Sequence, residues 1–548
     1  MNALEVVIFA IAWFVFAYFW YGGRIENKVL HVNKNRSTPA HTNYDGVDYV
    51  PTNPVVLFGH HFSAIAGAGP IVGPVLAYAL FGWLPALIWV LLGAVFMGAV
   101  HDFSALVISI RNEGRSIVKI ADGAISSTAS TLFAVFVWFT LTLVQAVFAD
   151  LTAKTLIEKP EIAFPTIALI FIAIIFGLMI YKLKINVYIS TVVALVTLGL
   201  SVWAGTYFPI VLNYHLWLII IIIYSFVASI IPVWILLQPR DYISTYLLIV
   251  GMLLGIVGIL LLNPPITGPA YISFVNKGTP LFPMLFVIIA CGAISGFHSL
   301  VASGTTAKQL DKEVNARKIA FGGMLTEGLL AVLVIAMISS VLVWDNTGNS
   351  TAPNDFQGFL AQSAEIVFGN ALGRTIQIFG IPLMLGVQFG ILMLNAFILT
   401  TLDASARLNR YVMQETLGVR FGGIFKNRYF ASGASLVFAY LLCIGSGYQI
   451  IWPIFGASNQ LIGTLALFTA SAYLFGIKAP KLYTLIPAFL MLIITESSLF
   501  YQVFWSFLPK NQYLLLFIAI ILFILGLFVA FEATKKIFSK KNIQLQKS

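Results

Sequence analysis

Charge is what this chain has least of. Asp, Glu, Lys and Arg make up 9% of its 548 residues, against 59% hydrophobic, and the mean hydropathy is +0.94. A soluble globular domain carries about a quarter charged residues, so that class is excluded and the chain reads as a polytopic membrane protein. Cysteine is rarer still. Only Cys291 and Cys443 occur, both inside apolar spans, which excludes a disulfide framework and a thiolate metal cluster and leaves them as packing residues. Long polar stretches are missing too. The largest, 22–54 and 345–373, are too short for a soluble domain. No phosphate-binding glycine loop, nucleophile elbow or zinc-protease signature occurs, so ATP-driven transport and intramembrane catalysis lack support, and the chain reads as a non-enzyme needing no cofactor. The net charge of +10 would suit a nucleic-acid partner only on the face of a soluble domain, and here the basic residues lie in short loops.

What is present is a series of fifteen apolar segments, predicted at 4–21, 55–80, 84–110, 128–150, 162–181, 187–206, 215–236, 243–263, 281–303, 319–344, 374–402, 429–446, 450–475, 484–506 and 513–533. The first has no basic residue ahead of it and no small-residue cleavage site after it, so it reads as a retained helix rather than a signal peptide. With the N-terminus outside and the C-terminus cytoplasmic, the alternation places 26 of the 31 Lys and Arg in cytoplasmic loops or the tail, and the positive-inside rule supports count and orientation together. The basic tail from 535 reads as a solvated end touching anionic lipid headgroups.

Residues 59–74 break the second segment with four glycines and two prolines, all but Gly59 following His60 and His61. In hydrocarbon every backbone N–H and C=O needs a partner, so irregular backbone survives only where it faces protein or a water-filled cavity, and such a helix usually lines a transport site. Five segments later, YSFVASIIP carries Pro232 in a segment of opposite direction. The pair suggests a five-plus-five inverted repeat: residues 1–54 a peripheral helix and loop, 55–206 the first repeat, 215–402 the second, and 403–548 peripheral helices and tail. The stretch ACGAISGFHSLVASGTTAKQ (290–309) is unusual as well, since small residues, His298 and hydroxyls replace Leu and Ile. Helix packing explains the small residues but not the polar face.

Ionisable residues at membrane depth are functional candidates, because placing a charge there costs about 2.5–3.5 kcal/mol on insertion scales. They are His60, His61, His101, Asp102, His298, Glu327, Asp403 and Glu496. Histidine changes charge near neutral pH and burial favours a neutral carboxyl group, so Glu327, His61 and His298 are the proton-coupling candidates, with His60 beside them. The competing reading makes the His101–Asp102 pair and the adjacent histidines structural hydrogen-bonding groups, and Glu496 an interface residue outside the core. A metal site is not selected by the spacing: His60 and His61 point to different helix faces and no two-turn ligand pair occurs.

The blocks GGRIENKVL, TPAHTNYDGVDYVPTNPVVLFGHHFSAIAGAGPIVGPVLA and GAVHDFSALVISIRNEGRSI resemble the carbon starvation protein CstA family of inner-membrane transporters. FHSLVASGTTAKQL, LDASARLNRY and WPIFGASNQL extend the likeness along the chain. The resemblance implies uptake of peptides, or of pyruvate with a proton, when carbon is scarce. It also implies an all-α, leucine-transporter-like core of the amino acid–polyamine–organocation superfamily. By that analogy His61, Ser63, Ala66, Gly67, Gly69, Ser225 and Ser229 would line the substrate site, and Ser303, Thr305 and Thr306 would face a cation position. The leading expectation is a proton- or sodium-coupled importer working by alternating access, with the lipid bilayer, a small solute and a cation as its partners. A passive facilitator or a membrane starvation sensor are the alternatives. Nothing in the residues fixes the oligomeric state.

Overall fold

Several helix starts are written in the sequence as Asn or Ser. The side chains of Asn53, Ser116, Ser126, Asn186 and Asn213 each accept a hydrogen bond from a backbone N–H two or three residues on, satisfying a donor that the first helical turn leaves free. The computed structural model describes residues 1–46, 49–232, 235–342, 363–445 and 447–538. Its principal helices are α1 (Ala3–Val29), α2 (Pro54–Ile65), α3 (Gly69–Phe81), α4 (Trp83–Ile110), α5 (Ser127–Glu158), α6 (Pro160–Ile180), α7 (Val187–Gly205), α8 (Tyr214–Ile230) and α9 (Leu237–Leu262). They continue with α10 (Leu281–Ile288), α11 (Gly296–Val301), α12 (Glu313–Ser340), α13 (Ala364–Ile376), α14 (Leu383–Leu417), α15 (Arg428–Ile444), α16 (Ile450–Gly476), α17 (Leu482–Phe507) and α18 (Tyr513–Phe538).

Eleven of these are long and apolar enough to cross a membrane; α2 and α3 form one further span bent by 40°, and α8 and α15 are shorter apolar helices. The chain is thus a multi-pass membrane protein. One hairpin departs from an all-α chain: Val275–Asn276 pairs with Thr279–Pro280 across Lys277 and Gly278, whose φ values of 48° and 76° give the left-handed turn that antiparallel strands favour.

Three segments differ from the expectation. The apolar stretch 281–303 is two short helices, α10 and α11, separated by non-helical backbone at 289–295. The segment at 215–236 ends as a helix at Ile230, so Pro232 follows the helix instead of kinking it. The segment at 374–402 turns at Gly380, between α13 and α14, and α14 runs on to Leu417 through residues expected in a cytoplasmic loop. The expected loop cation Arg240 lies in α9 and is 1% exposed.

Burial separates centre from periphery. The apolar window of α16 is 89% buried and that of α12 83%, whereas α7 and α1 stand at 28% and 33%. α16, which lies after residue 403, is thus among the most deeply buried helices. The reason is its small face. A Cβ on Gly456 would run into the Val287 carbonyl, and one on Gly296 would run into the Asn459 carbonyl, so α16 lies directly on the backbone around 287–296. From the other side, α3 approaches the same backbone through Gly69 and Gly73; a Cβ on Gly73 would sit 2.7 Å from the Ile288 carbonyl. The two interruptions of the bundle are therefore neighbours.

Candidate functional site

The first interruption, residues 66–68, joins α2 to α3. Asn53 and Pro54 start α2, and Ala66 leaves helical geometry at ψ 44°, its N–H still bonded to the Phe62 carbonyl at 2.9 Å. Gly67 N–H turns back to the Ile65 carbonyl at 2.8 Å, and the N–H groups of Ile71 and Val72 restart the helix on the Ala68 carbonyl. Gly67 lies against Thr401 of α14, where a Cβ would come within 2.5 Å of Thr401 Oγ1.

The second interruption is held by side chains. Gln460 Nε2 donates to the Phe286 carbonyl at 2.6 Å, Trp452 Nε1 to the Ile288 carbonyl at 3.3 Å and Trp89 Nε1 to the Ile289 carbonyl at 3.0 Å. Asn459 Oδ1 accepts from Phe297 N–H at 2.9 Å, and its Nδ2 donates to Ser295 Oγ at 2.9 Å. Backbone that would be orphaned in hydrocarbon is satisfied within the protein.

Beside these breaks lies a fully buried ionisable cluster. Asp102 of α4 takes His101 Nδ1 on one oxygen at 2.7 Å and His298 Nδ1 on the other at 2.9 Å. The opposite ring nitrogen of His298, Nε2, stands 3.2 Å from Glu327 Oε2 of α12, close enough for an ion pair although not aligned as a hydrogen bond. His101, Asp102, His298 and Glu327 are each at most 1% exposed. His61 Nδ1 meets Thr306 Oγ1 at 2.8 Å, and its ring packs on Gly323, one turn before Glu327. An imidazole between two carboxylates can hold a proton on either ring nitrogen.

The residues singled out in the sequence fall in different places. His61, His298, Glu327 and Thr306 belong to this cluster, and Ser63, Ala66, Gly67 and Gly69 line the first break, all buried. Ser303 Oγ donates to the Ser299 carbonyl and accepts from Ile117 N–H, and Thr305 Oγ1 donates to the Val301 carbonyl. Both hydroxyl hydrogens are thus engaged by the helix backbone. Ser225 and Ser229 are buried on α8, which packs on α14, α15 and α5, and Ser229 Oγ is spent on the Phe226 carbonyl. His60 points away from His61, with Nδ1 3.5 Å from Asp241 Oδ2.

Asp102 is among the ionisable candidates of the sequence but not among the proton-coupling ones, and Asn459, Tyr224, Arg240 and Asp241 are not singled out there. The available signals were the polar run GASNQ inside an apolar segment and the acid directly after His101. Among the described residues no three His, Cys, Asp or Glu side chains converge so as to hold a metal ion.

A multi-pass helical bundle whose two interrupted helices meet beside a dry ionisable cluster has the make-up of a membrane transporter, and solved transporter structures share its fold. The manganese transporter of Eremococcus coleocola aligns, as a mutant, over 88% of this chain and 95% of its own with a TM-score of 0.50 at 11% identity. Its complex with an aromatic bis-isothiourea compound aligns over 90% and 97% with a TM-score of 0.50 at 12% identity. The chain belongs to the carbon starvation protein CstA family, whose model matches residues 2–354 and 359–498. It is 34% identical to the peptide transporter CstA of Bacillus subtilis over 98% of this chain and 97% of that protein. It is likewise 34% identical to the peptide transporter CstA of Escherichia coli, over 91% and 81%, and 33% identical to the pyruvate/proton symporter BtsT of Escherichia coli, over 92% and 82%. It is a transporter and not an enzyme.

Proposed function

We propose that this chain imports a peptide or pyruvate across the cytoplasmic membrane by proton symport with alternating access, as part of scavenging when carbon is short. The observation that carries this is His298 bridging Asp102 and Glu327 at zero exposure, beside the break between α2 and α3. Ionisable groups buried this deeply in a membrane bundle are costly to place there, which makes each a candidate for carrying an ion or a proton. The names of the curated relatives support the substrate classes, and the second of those names supports a proton as the coupling ion.

In this reading the apolar segments make about 15 membrane helices around a five-plus-five core, with repeats near 55–206 and 215–402, the N-terminus outside and the C-terminus in the cytoplasm. The Lys and Arg asymmetry of the loops supports the orientation. The interrupted backbone at 66–68 forms one wall of the substrate path.

The test is uptake of labelled pyruvate and of a labelled dipeptide into proteoliposomes, each under an imposed proton gradient and an imposed sodium gradient. Accumulation driven by protons is expected. Glu327→Gln is expected to abolish accumulation while leaving counterflow exchange within about twofold of wild type, because exchange at equal pH needs no net proton movement. Full accumulation in that variant would remove Glu327 from coupling.

A further inference from the structure

The bundle buries a second set of charges that the proton cluster does not use. Arg240, in the first turns of α9, is 1% exposed, and Asp403 of α14 is not exposed at all. Arg240 Nη1 donates to Asp403 Oδ2 at 2.6 Å and to the Tyr224 hydroxyl of α8, which itself donates to Asp403 Oδ2 at 2.8 Å. One nitrogen of the guanidinium therefore takes all its protein acceptors. Among the described residues Nε and Nη2 have none, although both are buried.

A guanidinium presents its donors in a planar fork, and the Nε/Nη2 edge is the edge that grips a carboxylate with two parallel hydrogen bonds. Leaving buried charged donors unmatched is costly, so a fold that fixes Arg240 from one end and leaves the other edge without a side-chain or backbone acceptor is built for an incoming one. The charged neighbours are Asp403, which holds the arginine, and Asp241, whose Oδ2 lies 3.5 Å from His60 Nδ1 on the broken span. Thr245 Oγ1 donates to the Gly59 carbonyl at 3.0 Å, tying α9 to α2 just ahead of the first break.

We propose that the Nε/Nη2 edge of Arg240 receives the carboxylate of the transported solute, with Asp403 and Tyr224 holding the guanidinium in place. The assignment rests on the transporter reading above and deepens it. A carboxylate is the group that pyruvate and a peptide share, so one receptor serves both solute classes.

The experiment is counterflow exchange in proteoliposomes of the full chain, with labelled pyruvate, labelled dialanine and labelled dialanine amide, the last lacking the carboxylate. Wild type is compared with Arg240→Lys, which keeps the charge but loses the fork, and with Arg240→Gln combined with Asp403→Asn, which removes both members of the buried ion pair together. Thermal unfolding of the purified proteins establishes that each variant is folded. The expected result is exchange of at least one of the two carboxylates by wild type, no exchange of the amide, and a rise of about 10- to 100-fold in half-saturation concentration in both variants. Folded variants with wild-type half-saturation would overturn the Arg240 assignment and leave the transporter reading standing, as would equal exchange of the amide by wild type. Exchange of neither carboxylate by wild type would overturn both.

Discussion

The two interruptions of this bundle sit side by side and are built differently. At 66–68 the hydrogen bonds of the turn are local: Ala66 to Phe62, Gly67 to Ile65 and Ile71 to Ala68. At 289–295 the backbone is pinned from α4 by Trp89 and from α16 by Trp452, Asn459 and Gln460. A turn whose backbone hydrogen bonds are local can change its angle without breaking hydrogen bonds to other helices. A turn pinned by four side chains from two other helices moves only with them. The difference makes hinge motion the expectation for the first break and a fixed wall the expectation for the second.

The strongest way to break this comparison is to unpin the wall. Asn459→Ala removes the acceptor for Phe297 N–H and the donor to Ser295, leaving a buried backbone N–H unsatisfied. It is expected to lower unfolding free energy by about 2–4 kcal/mol. Denaturant titration of the purified protein in micelles measures this. A loss below about 0.5 kcal/mol would mean that the second break does not depend on its pins.

How much of this was legible follows from where each partner lies. Hydropathy located the long helices because burial in lipid acts on every residue of a span, and the averaging window that finds them also hides a seven-residue break such as 289–295 when all its residues but Ser295 are Ile, Ala, Cys and Gly. The small-residue stretch around His298 was visibly odd in the sequence, but where its backbone bonds end depends on Asn459, 162 residues on. His298 and Glu327 stood out singly as ionisable groups in apolar spans. Their relation to Asp102, 196 residues before His298, is a matter of helix packing that no local pattern encodes. Arg240 read as a loop cation because its partner Asp403 is 163 residues away, so the sequence around it shows a charge with nothing to bury it.

The hinge side of the comparison is sharpened at Gly67. The Cβ of an alanine there would crowd Thr401 Oγ1, so Gly67→Ala is paired with Thr401→Ala to make room. The double variant is expected to unfold within about 1 kcal/mol of wild type, since replacing glycine trims the freedom of the unfolded chain. The exchange rate in counterflow is expected to fall about tenfold, because a stiffer turn slows the conformational step and not binding. Half-saturation should be unchanged. A variant with wild-type turnover would show that the first break does not bend during transport.

The smallest expected effect separates packing hydroxyls from ion ligands on the helix that follows the pinned wall. Thr305 Oγ1 donates to the Val301 carbonyl one turn back, a bond that such side chains commonly make when they do nothing else. Thr305→Val keeps the shape and removes the hydroxyl. Because the Val301 carbonyl can keep a backbone partner in the same helix, the cost should stay within about 1 kcal/mol, and proton-driven accumulation should stay within about twofold of wild type. Loss of accumulation in a stably folded Thr305→Val protein would return this residue to the ion path. It would also mean that the wall beside the second break is a working part of coupling and not only its support.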